Sequence, residues 1–450
     1  MSPTEIPLTT LVDNTNGWSV NAASHVSRDR SIYLRFEKPS ASSGTATYTV
    51  TAIGDSLKRY SDIGAGLLEG ELTVDPVSLH EVIVEVQGQW RDRVVGRREI
   101  VSGDEYWFPF SDVWDLSQDQ SADSRLGAVA RPLAEAGYKL FKLLFHVGNE
   151  GLRKIGDVLT IVLQEQKQVI SVQSDCLFAP WWMLYTPPPG YEDFDVNEDW
   201  AVPWEGFWGY SHIVEHNFKH SPAWKPCIII DEQGITAGVN VDRNLDSEFP
   251  ECPCVAPVIS MFRSNFAAVV ERDTKRHLAR AIKSAHYDDH IVYFGCHGTG
   301  VSKTTEPAQA YLMLTDRDPI RSTDFIAWLD QASMCTTPIV FINACQGGQM
   351  SSIFYTSVGN ALITHGANCL IGPQIDIPPT YAREYATSFF AEFKLAPTRN
   401  SGTVRAVRAG DVFQRLAQEG VMNRKNPIGL VMSLYRGIDS HFCRTTEGGR

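Results

Sequence analysis

Apolar and polar positions alternate in the first part of the chain. The segments SIYLRFE (31–37) and EVIVEV (81–86) place apolar residues at every second position, and turn-rich stretches such as PSASSG (39–44) separate such runs. A period of two is the pattern of a half-buried β-strand. We therefore predict a small β-rich, sandwich-like domain over residues 1–125, with a regulatory or interaction role.

The pattern changes after the polar segment SQDQSADSR (117–125). Residues 126–145 have helical spacing, which predicts a helix with Pro132 near its first turn. Further on, apolar runs with the composition of fully buried strands alternate with helical stretches; these runs are DVLTIVL (157–163), QVISVQS (168–174), KPCIIID (225–231), HIVYFG (290–295), TPIVFINA (337–344) and ANCLIG (367–372). Strands that alternate with helices in this way predict a largely parallel sheet covered on both faces, an α/β domain over residues 126–450.

Two of the predicted strands end in residues that can carry out chemistry. IVYFGCHGTG (291–300) ends in His297 and Gly298, and TPIVFINACQGGQM (337–350) ends in Cys345 and two glycines. Because parallel strands share a carboxyl edge, we expect the imidazole and the thiol to face one another there. A nearby imidazole lowers the pKa of a thiol or takes its proton, and the thiolate is a nucleophile. The backbone N–H groups of Gly298 and Cys345 are candidates for an oxyanion hole.

These motifs resemble those of the caspase-type cysteine peptidases, in which a His-Gly pair and a Cys-containing motif follow successive strands. Roughly residues 126–440 resemble the CHAT branch of that clan, through the two motifs and three further segments: ISVQSDCLFAPWWMLY (170–185), FWGYSHIVEH (207–216) and LIGPQIDIPPTYAREYATSFFAEF (370–393). The resemblance implies a caspase-like fold and a cysteine endopeptidase. His297 would be the general base, Cys345 would form a thioester with the substrate, and neither a metal ion nor an organic cofactor would take part.

The resemblance also implies a pocket for the P1 side chain of a substrate, lined by Asp231, Asn343 and Asp376. Two carboxylates favour Arg or Lys at P1, because a buried cation needs an opposite charge. The segment GPQIDIPP (372–379) departs from the family, which usually has a tryptophan and an acidic pair there. Two interpretations of Asp376 therefore stay open: a pocket residue, or a turn cap or ion-pair partner of Arg383.

Composition narrows the classes of protein that the chain can belong to. It has 450 residues, a formal net charge of -13 and a sequence pI of about 5.4. Such an acidic chain is not expected to bind nucleic acid or an anionic membrane through a broad basic surface. Neither a signal peptide nor a transmembrane segment is recognisable. The nine cysteines are an odd number, which favours free thiols in a reducing compartment, and we expect a cytoplasmic protein.

Two other motifs have structural explanations. HIVEH (212–216) matches a zinc-binding pattern, but that pattern requires a helix, and the composition of this aromatic-rich segment favours a strand or loop. Cys296 is expected to point to the sheet face opposite His297 and to be structural. No metal site is therefore predicted.

The resemblance implies a protein substrate, and a protein activator or sensor that acts through residues 1–125, as in defence or cell-death pathways. Two alternatives stay open. One is a non-catalytic caspase-like interaction scaffold, and the other is a thiol acyl-transfer enzyme with a non-peptide substrate.

Overall fold

The computed structural model describes residues 29–38, 45–61, 64–102, 105–191, 201–219, 225–284, 287–299, 310–329, 334, 336–345, 355–394 and 406–444. For Cys345 this description covers the backbone, and residues 346–348 of the ACQGG motif lie outside it.

The strands in these residues are β1 (Ile32–Glu37), β2 (Ala46–Ile53), β3 (Leu67–Val74), β4 (Glu99–Ser102), β5 (Glu105–Trp107), β6 (Val169–Gln173), β7 (Ile213–Asn217), β8 (Cys227–Ile230), β9 (Thr236–Val241), β10 (Ala268–Arg272), β11 (Ile291–Thr299), β12 (Tyr311–Met313), β13 (Pro319–Arg321), β14 (Ile339–Cys345), β15 (Cys369–Pro373), β16 (Met432–Tyr435) and β17 (His441–Arg444). The helices are α1 (Pro76–Trp90), α2 (Pro109–Asp112), α3 (Ala122–His146), α4 (Glu150–Glu165), α5 (Trp208–Ser211), α6 (Asn244–Glu248), α7 (Val255–Asn265), α8 (Lys275–Ile282), α9 (Ser322–Leu329), α10 (Asn360–Thr364), α11 (Pro379–Glu392) and α12 (Ala409–Met422).

One large sheet organises the molecule. Its strand order is β10-β9-β11-β14-β15-β16-β7-β6-β1-β2-β3, and the β12–β13 hairpin extends it beyond the end of β11. The central strands β10, β9, β11, β14 and β15 run parallel, β16 is antiparallel to β15, and β2 and β3 form an antiparallel edge. The prediction of an α/β fold with a mostly parallel sheet flanked by helices is confirmed.

The strands β11 and β14 are mostly apolar because helices cover both of their faces. Successive side chains of a strand point to opposite faces, so one strand contributes to two cores. One core contains Ile291, Tyr293, Ile339 and Phe341, packed with Phe262 of α7 and with Phe389 and Phe390 of α11. The other contains Val292, Phe294, Val340 and Ile342 with Phe325 of α9 and Leu362 of α10. This double burial explains the uninterrupted apolar runs of the sequence.

The N-terminal strands belong to the same sheet. β1 pairs in parallel with β6, and β2 and β3 continue outward from it. The strand predicted over 31–37 is therefore confirmed, but these strands extend the main sheet instead of forming a separate sandwich. The predicted boundary after residue 125 falls inside α3, and the division into domains 1–125 and 126–450 stays a prediction.

Two segments predicted as strands are helical. Residues 81–86 lie in α1, which starts at a strong cap: the Asp75 side chain accepts hydrogen bonds from the backbone N–H groups of Val77 and Ser78, and a proline follows it. Residues 157–163 lie in α4, where Asn149 caps the helix and the buried residues follow helical spacing. Short apolar runs do not distinguish a strand from a buried helix, and here the caps decide.

The helix predicted over 126–145 is also present, but it begins earlier. Because α3 starts at Ala122, Pro132 lies in its interior and not in its first turn. A proline there costs the helix roughly 3 kcal/mol. The buried face of α3, which includes Leu126, Val129 and Leu133, supplies the compensating packing.

The cysteines differ in part from the prediction of free thiols. Cys227 and Cys443 form a disulfide between β8 and β17, which pair in a two-stranded sheet of their own. The five free cysteines in the described residues are Cys176, Cys252, Cys254, Cys296 and Cys369. The prediction is thus wrong for the bridged pair.

None of the helices in the described part of the chain combines the length and the apolar character needed to cross a bilayer.

A buried ion cluster ties the start of β1 to the C-terminal part of the chain. Arg30 lies 2.9 Å from Glu215 of β7 and also pairs with Asp439, and all three side chains are almost fully buried. Burial alone would lower the pKa of Arg30, but the charges of Glu215 and Asp439 raise it above its usual value. Removing one partner of such a cluster leaves an uncompensated charge in the core.

We expect Arg30→Met to lower the free energy of unfolding by about 3 kcal/mol or more, because the buried carboxylate of Glu215 loses its ion-pair partner and that of Asp439 is left with Arg408, at 3.5 Å. Equilibrium denaturation in urea measures this change. Arg59→Met is the matched control: Arg59 pairs with Glu165 on the surface, and its loss should have little effect. Equal stability of Arg30→Met and the wild-type protein would contradict the assignment.

Candidate active site

The two predicted catalytic positions lie side by side at the carboxyl edge of the sheet. β11 and β14 are parallel and in register from Ile291 opposite Ile339 to His297 opposite Cys345. Neighbouring strands are about 4.8 Å apart, so the two backbones are adjacent at this point. The backbones of the two motifs therefore lie next to each other; that the imidazole and the thiol face one another, and the roles of the two residues, stay predictions.

The chain between these two positions supplies a hairpin and a helix. It forms β12, β13 and then α9 before β14 begins. β12 pairs with the extension of β11, with His297 opposite Met313 and Gly298 opposite Leu312. Gly298 is buried in this arrangement. Its proposed part in an oxyanion hole, with the amide of Cys345, stays a prediction.

The His297 imidazole is buried and lies against two carboxylates. Its Nε2 atom is 3.1 Å from Oε2 of Glu248, the last residue of α6, and 3.6 Å from Oδ2 of Asp242, which follows β9. Asp242 is fully buried, and its backbone N–H donates to the Gly295 carbonyl at 2.9 Å. The strand β9 therefore delivers a carboxylate to the same edge as His297.

Arg317 joins the two carboxylates. It lies in the turn between β12 and β13, and its Nη1 atom is 3.3 Å from Oδ2 of Asp242, while Nη2 donates to Oε1 of Glu248. We call Asp242, Glu248 and Arg317 the ion cluster beside His297. Sequence reasoning missed all three. The signal for Asp242 was present, because the apolar run ITAGVNV (235–241) precedes it directly.

Asn343 has the location that the sequence predicted, two residues before Cys345. Its side chain is buried, and Nδ2 donates to Oη of Tyr293 at 3.1 Å and to the Ala382 carbonyl at 2.6 Å. These bonds fasten the end of β14 to β11 and to α11. Asn343 thus supports the backbone that carries Cys345.

Asp231 is not brought to this edge. It follows β8, which is outside the main sheet, and its side chain is exposed. Burial lowers the pKa of His290, and the charge of Asp231 opposes this effect, so the carboxylate lies near His290. Because His290 precedes β11, Asp231 lies at the amino end of the strand whose carboxyl end holds His297. The core strand next to β11 is β9, and the carboxylate that follows it at the carboxyl edge is that of Asp242.

Asp376 does lie on the carboxyl side of β15, within the loop that leads to α11. The pKa of Arg91 is raised, first by its hydrogen bond with Asp92 and to a smaller extent by the charge of Asp376, so Asp376 lies near the end of α1. Arg383 donates instead to Glu384 and to the Pro253 carbonyl, each at 2.9 Å. The pocket role of Asp376 stays a prediction.

Cys296 and the HIVEH segment have structural roles. Cys296 is fully buried in the core on the other face of the sheet, as expected, and burial raises the pKa of its thiol. His212 precedes β7, and its Nδ1 atom accepts a hydrogen bond from the Gln168 backbone N–H at 3.1 Å. His216 lies in β7, and its Nδ1 atom accepts a hydrogen bond from Trp181 Nε1 at 2.9 Å. In the described part of the chain, no group of three or more His, Cys, Asp or Glu side chains is arranged to hold a metal ion.

Comparisons with known proteins give one match in sequence and several in structure. No family model matches the chain. A protein of Vitiosangium sp. (strain GDMCC 1.1324) that is named "Probable protease" is 30% identical over 147 residues, which cover 32% of this chain and 17% of that protein. The chain therefore spans less than a fifth of the length of this curated relative.

Solved structures match at low identity. The separase–securin complex of Saccharomyces cerevisiae matches with a TM-score of 0.43 and 9% identity, over 92% of this chain and 30% of that one. The complex of the Porphyromonas gingivalis RgpB pro- and mature domains matches with a TM-score of 0.37 and 8% identity, over 80% and 77% of the chains. A secreted C11 cysteine protease of Bacteroides thetaiotaomicron matches with a TM-score of 0.21 and 14% identity, over 34% and 53%.

The burial of His212 and His216 predicts how the stability of the fold changes in acid. Burial lowers the pKa of His212 to about 3 and that of His216 to about 4, whereas an unfolded histidine titrates near 6.5. The stability that the neutral rings contribute is present above the unfolded pKa and is lost as the pH falls from about 6.5 towards 4. Each ring adds up to about 1.4 kcal/mol per pH unit to this loss.

Urea denaturation at a series of pH values should show that His212→Asn flattens this dependence by about one proton. His80→Asn, which changes an exposed histidine, should leave the slope as it is in the wild-type protein. An unchanged slope in His212→Asn would contradict the assignment of a buried neutral ring.

Proposed function

We propose that the chain is a cysteine endopeptidase in which Cys345 is the nucleophile and His297 the general base. The observation that carries the proposal is the register of β11 and β14, in which position 297 lies opposite position 345. The resemblance of the His-Gly and ACQGG motifs to caspase-type peptidases supports it, and so does the name of the Vitiosangium relative.

The chemistry follows from these two groups. His297 takes the proton of the Cys345 thiol, and the sulfur attacks the scissile carbonyl carbon of a peptide bond. The backbone N–H groups of Gly298 and Cys345 hold the resulting oxyanion, in a role that is commonly worth a few kcal/mol. His297 then gives its proton to the leaving amine, and water hydrolyses the thioester to regenerate the thiol.

We propose a basic P1 side chain. We place the carboxylate of Asp376, which follows β15, in this pocket; Asp242 at the end of β9 already pairs with Arg317. A cation entering beside Asp376 gains a partner for its charge, whereas an acidic P1 residue meets a like charge. Asn343 supports this pocket through the end of β14, and Asp231 takes no part in it.

The proposal includes a protein substrate and a protein activator or sensor that binds through residues 1–125. The resemblance to the CHAT branch supports regulated cleavage, in a defence or cell-death pathway. The strands β1, β2 and β3 of this part of the chain form the end of the sheet that is farthest from β11 and β14.

Mass spectrometry after treatment with an acyloxymethyl ketone peptide carrying Arg at P1 tests the nucleophile. We expect one adduct on Cys345, none in Cys345→Ala, and labelling slowed by roughly a hundredfold or more in His297→Ala, because the general base is lost. Cys176→Ala, which removes an exposed free thiol, is the control and should label normally. Labelling that is independent of His297 would contradict the proposal.

Asp376→Asn tests the P1 pocket. With the Arg probe we expect roughly a tenfold loss in the rate of labelling, because a charge-assisted contact is replaced by a neutral one. The rate with iodoacetamide, which has no P1 side chain, should not change. Faster labelling by a probe with Asp at P1 than by the Arg probe would contradict a basic pocket.

A further inference from the structure

The contact between His297 and Glu248 restricts the imidazole to one tautomer. A carboxylate accepts hydrogen bonds and donates none, so an imidazole nitrogen at 3.1 Å from Oε2 of Glu248 carries the proton of that bond. This nitrogen is Nε2. In the neutral ring the proton on Nε2 leaves the lone pair on Nδ1, which is then the basic nitrogen.

The carboxylate that imposes this tautomer is itself held in place. The Glu248 side chain is 39% exposed, so an unrestrained carboxylate would turn towards water. Arg317 prevents this, because it donates to the other oxygen of Glu248 and also contacts Asp242. The guanidinium thus contacts both carboxylates, offsets one of their two negative charges and leaves Oε2 of Glu248 directed at Nε2.

We propose that Glu248 is a positioning residue for His297, with Arg317 as its anchor. This proposal rests on the proposed function. Glu248 keeps the proton on Nε2, so Nδ1 accepts the proton of the Cys345 thiol. When Nδ1 takes that proton the ring becomes an imidazolium, both nitrogens donate, and the carboxylates of Glu248 and Asp242 stabilise the new charge. The proton on Nε2 stays there throughout, and the thiol proton later passes from Nδ1 to the leaving amine.

The tautomer can be observed without any activity. In protein labelled with ¹⁵N histidine, the two ring nitrogens of His297 have distinct shifts, and His297→Gln assigns them. We expect Nε2 to carry the proton in the neutral ring of the wild-type protein and a mixture of tautomers in Glu248→Leu. Glu251→Leu, which removes an exposed carboxylate from the same connection between α6 and α7, should keep the wild-type signals. A proton on Nδ1 in the wild-type protein, or an unchanged tautomer in Glu248→Leu, would overturn the proposal.

The rate at which iodoacetamide alkylates Cys345 shows what the tautomer does. We expect Glu248→Leu to lower this rate roughly tenfold or more, and Glu251→Leu to leave it unchanged. The alkylation rate of Arg317→Gln should lie between the rates of these two variants, since Glu248 is retained but not anchored. If Glu248→Leu were alkylated at the wild-type rate, the proposal would be overturned, even if His297→Ala were alkylated slowly. If His297→Ala itself alkylated at the wild-type rate, the proposed function would fail instead, and the tautomer measurement would still decide the role of Glu248.

Discussion

The parallel pairing of β11 with β14 fixes the location of the candidate active site. Seven successive residues of each strand are in register, and His297 lies opposite Cys345 at the last of these pairs. Helices pack on both faces of these strands, so a shift by one residue would move each side chain to the wrong core. The register is therefore specified by the two cores, and the alignment of the two motifs depends on it.

The same edge also collects the charged groups that surround His297. β9 lies on the other side of β11 and ends in Asp242, and the short helix α6 that follows brings Glu248 to the ring. Arg317 comes from the β12–β13 turn, in the chain that crosses between the two motifs. Residues from two separate connections thus meet at one imidazole. A single guanidinium between two carboxylates offsets one negative charge, and the imidazolium form of His297 offsets the other.

The core strands of the sheet and the two motifs could be predicted from the sequence, because long apolar runs followed by His-Gly or by Cys and glycines are local signals. The ion cluster beside His297 could not be predicted in the same way. Glu248 and Arg317 are far from His297 in sequence, and nothing in their neighbours distinguishes them from solvated surface charges. The resemblance implied Asp231 for the pocket, but the strand before Asp231 pairs with β17 outside the main sheet, and the strand beside β11 is β9, which Asp242 follows. The helices α1 and α4 were mistaken for strands where valine-rich runs outweighed their N-terminal caps.

The central claim is that the fold places the Cys345 thiol within reach of the His297 imidazole. The most direct test is the pH dependence of the thiolate absorbance of Cys345, taken as the difference between the wild-type protein and Cys345→Ala, and repeated in a His297→Gln background. The account predicts that the thiol of the wild-type protein ionises well below the value of about 8.5 for a free cysteine. In the His297→Gln background the pKa should rise towards that value. The same pKa in both backgrounds would show that the two side chains do not interact and would contradict the account.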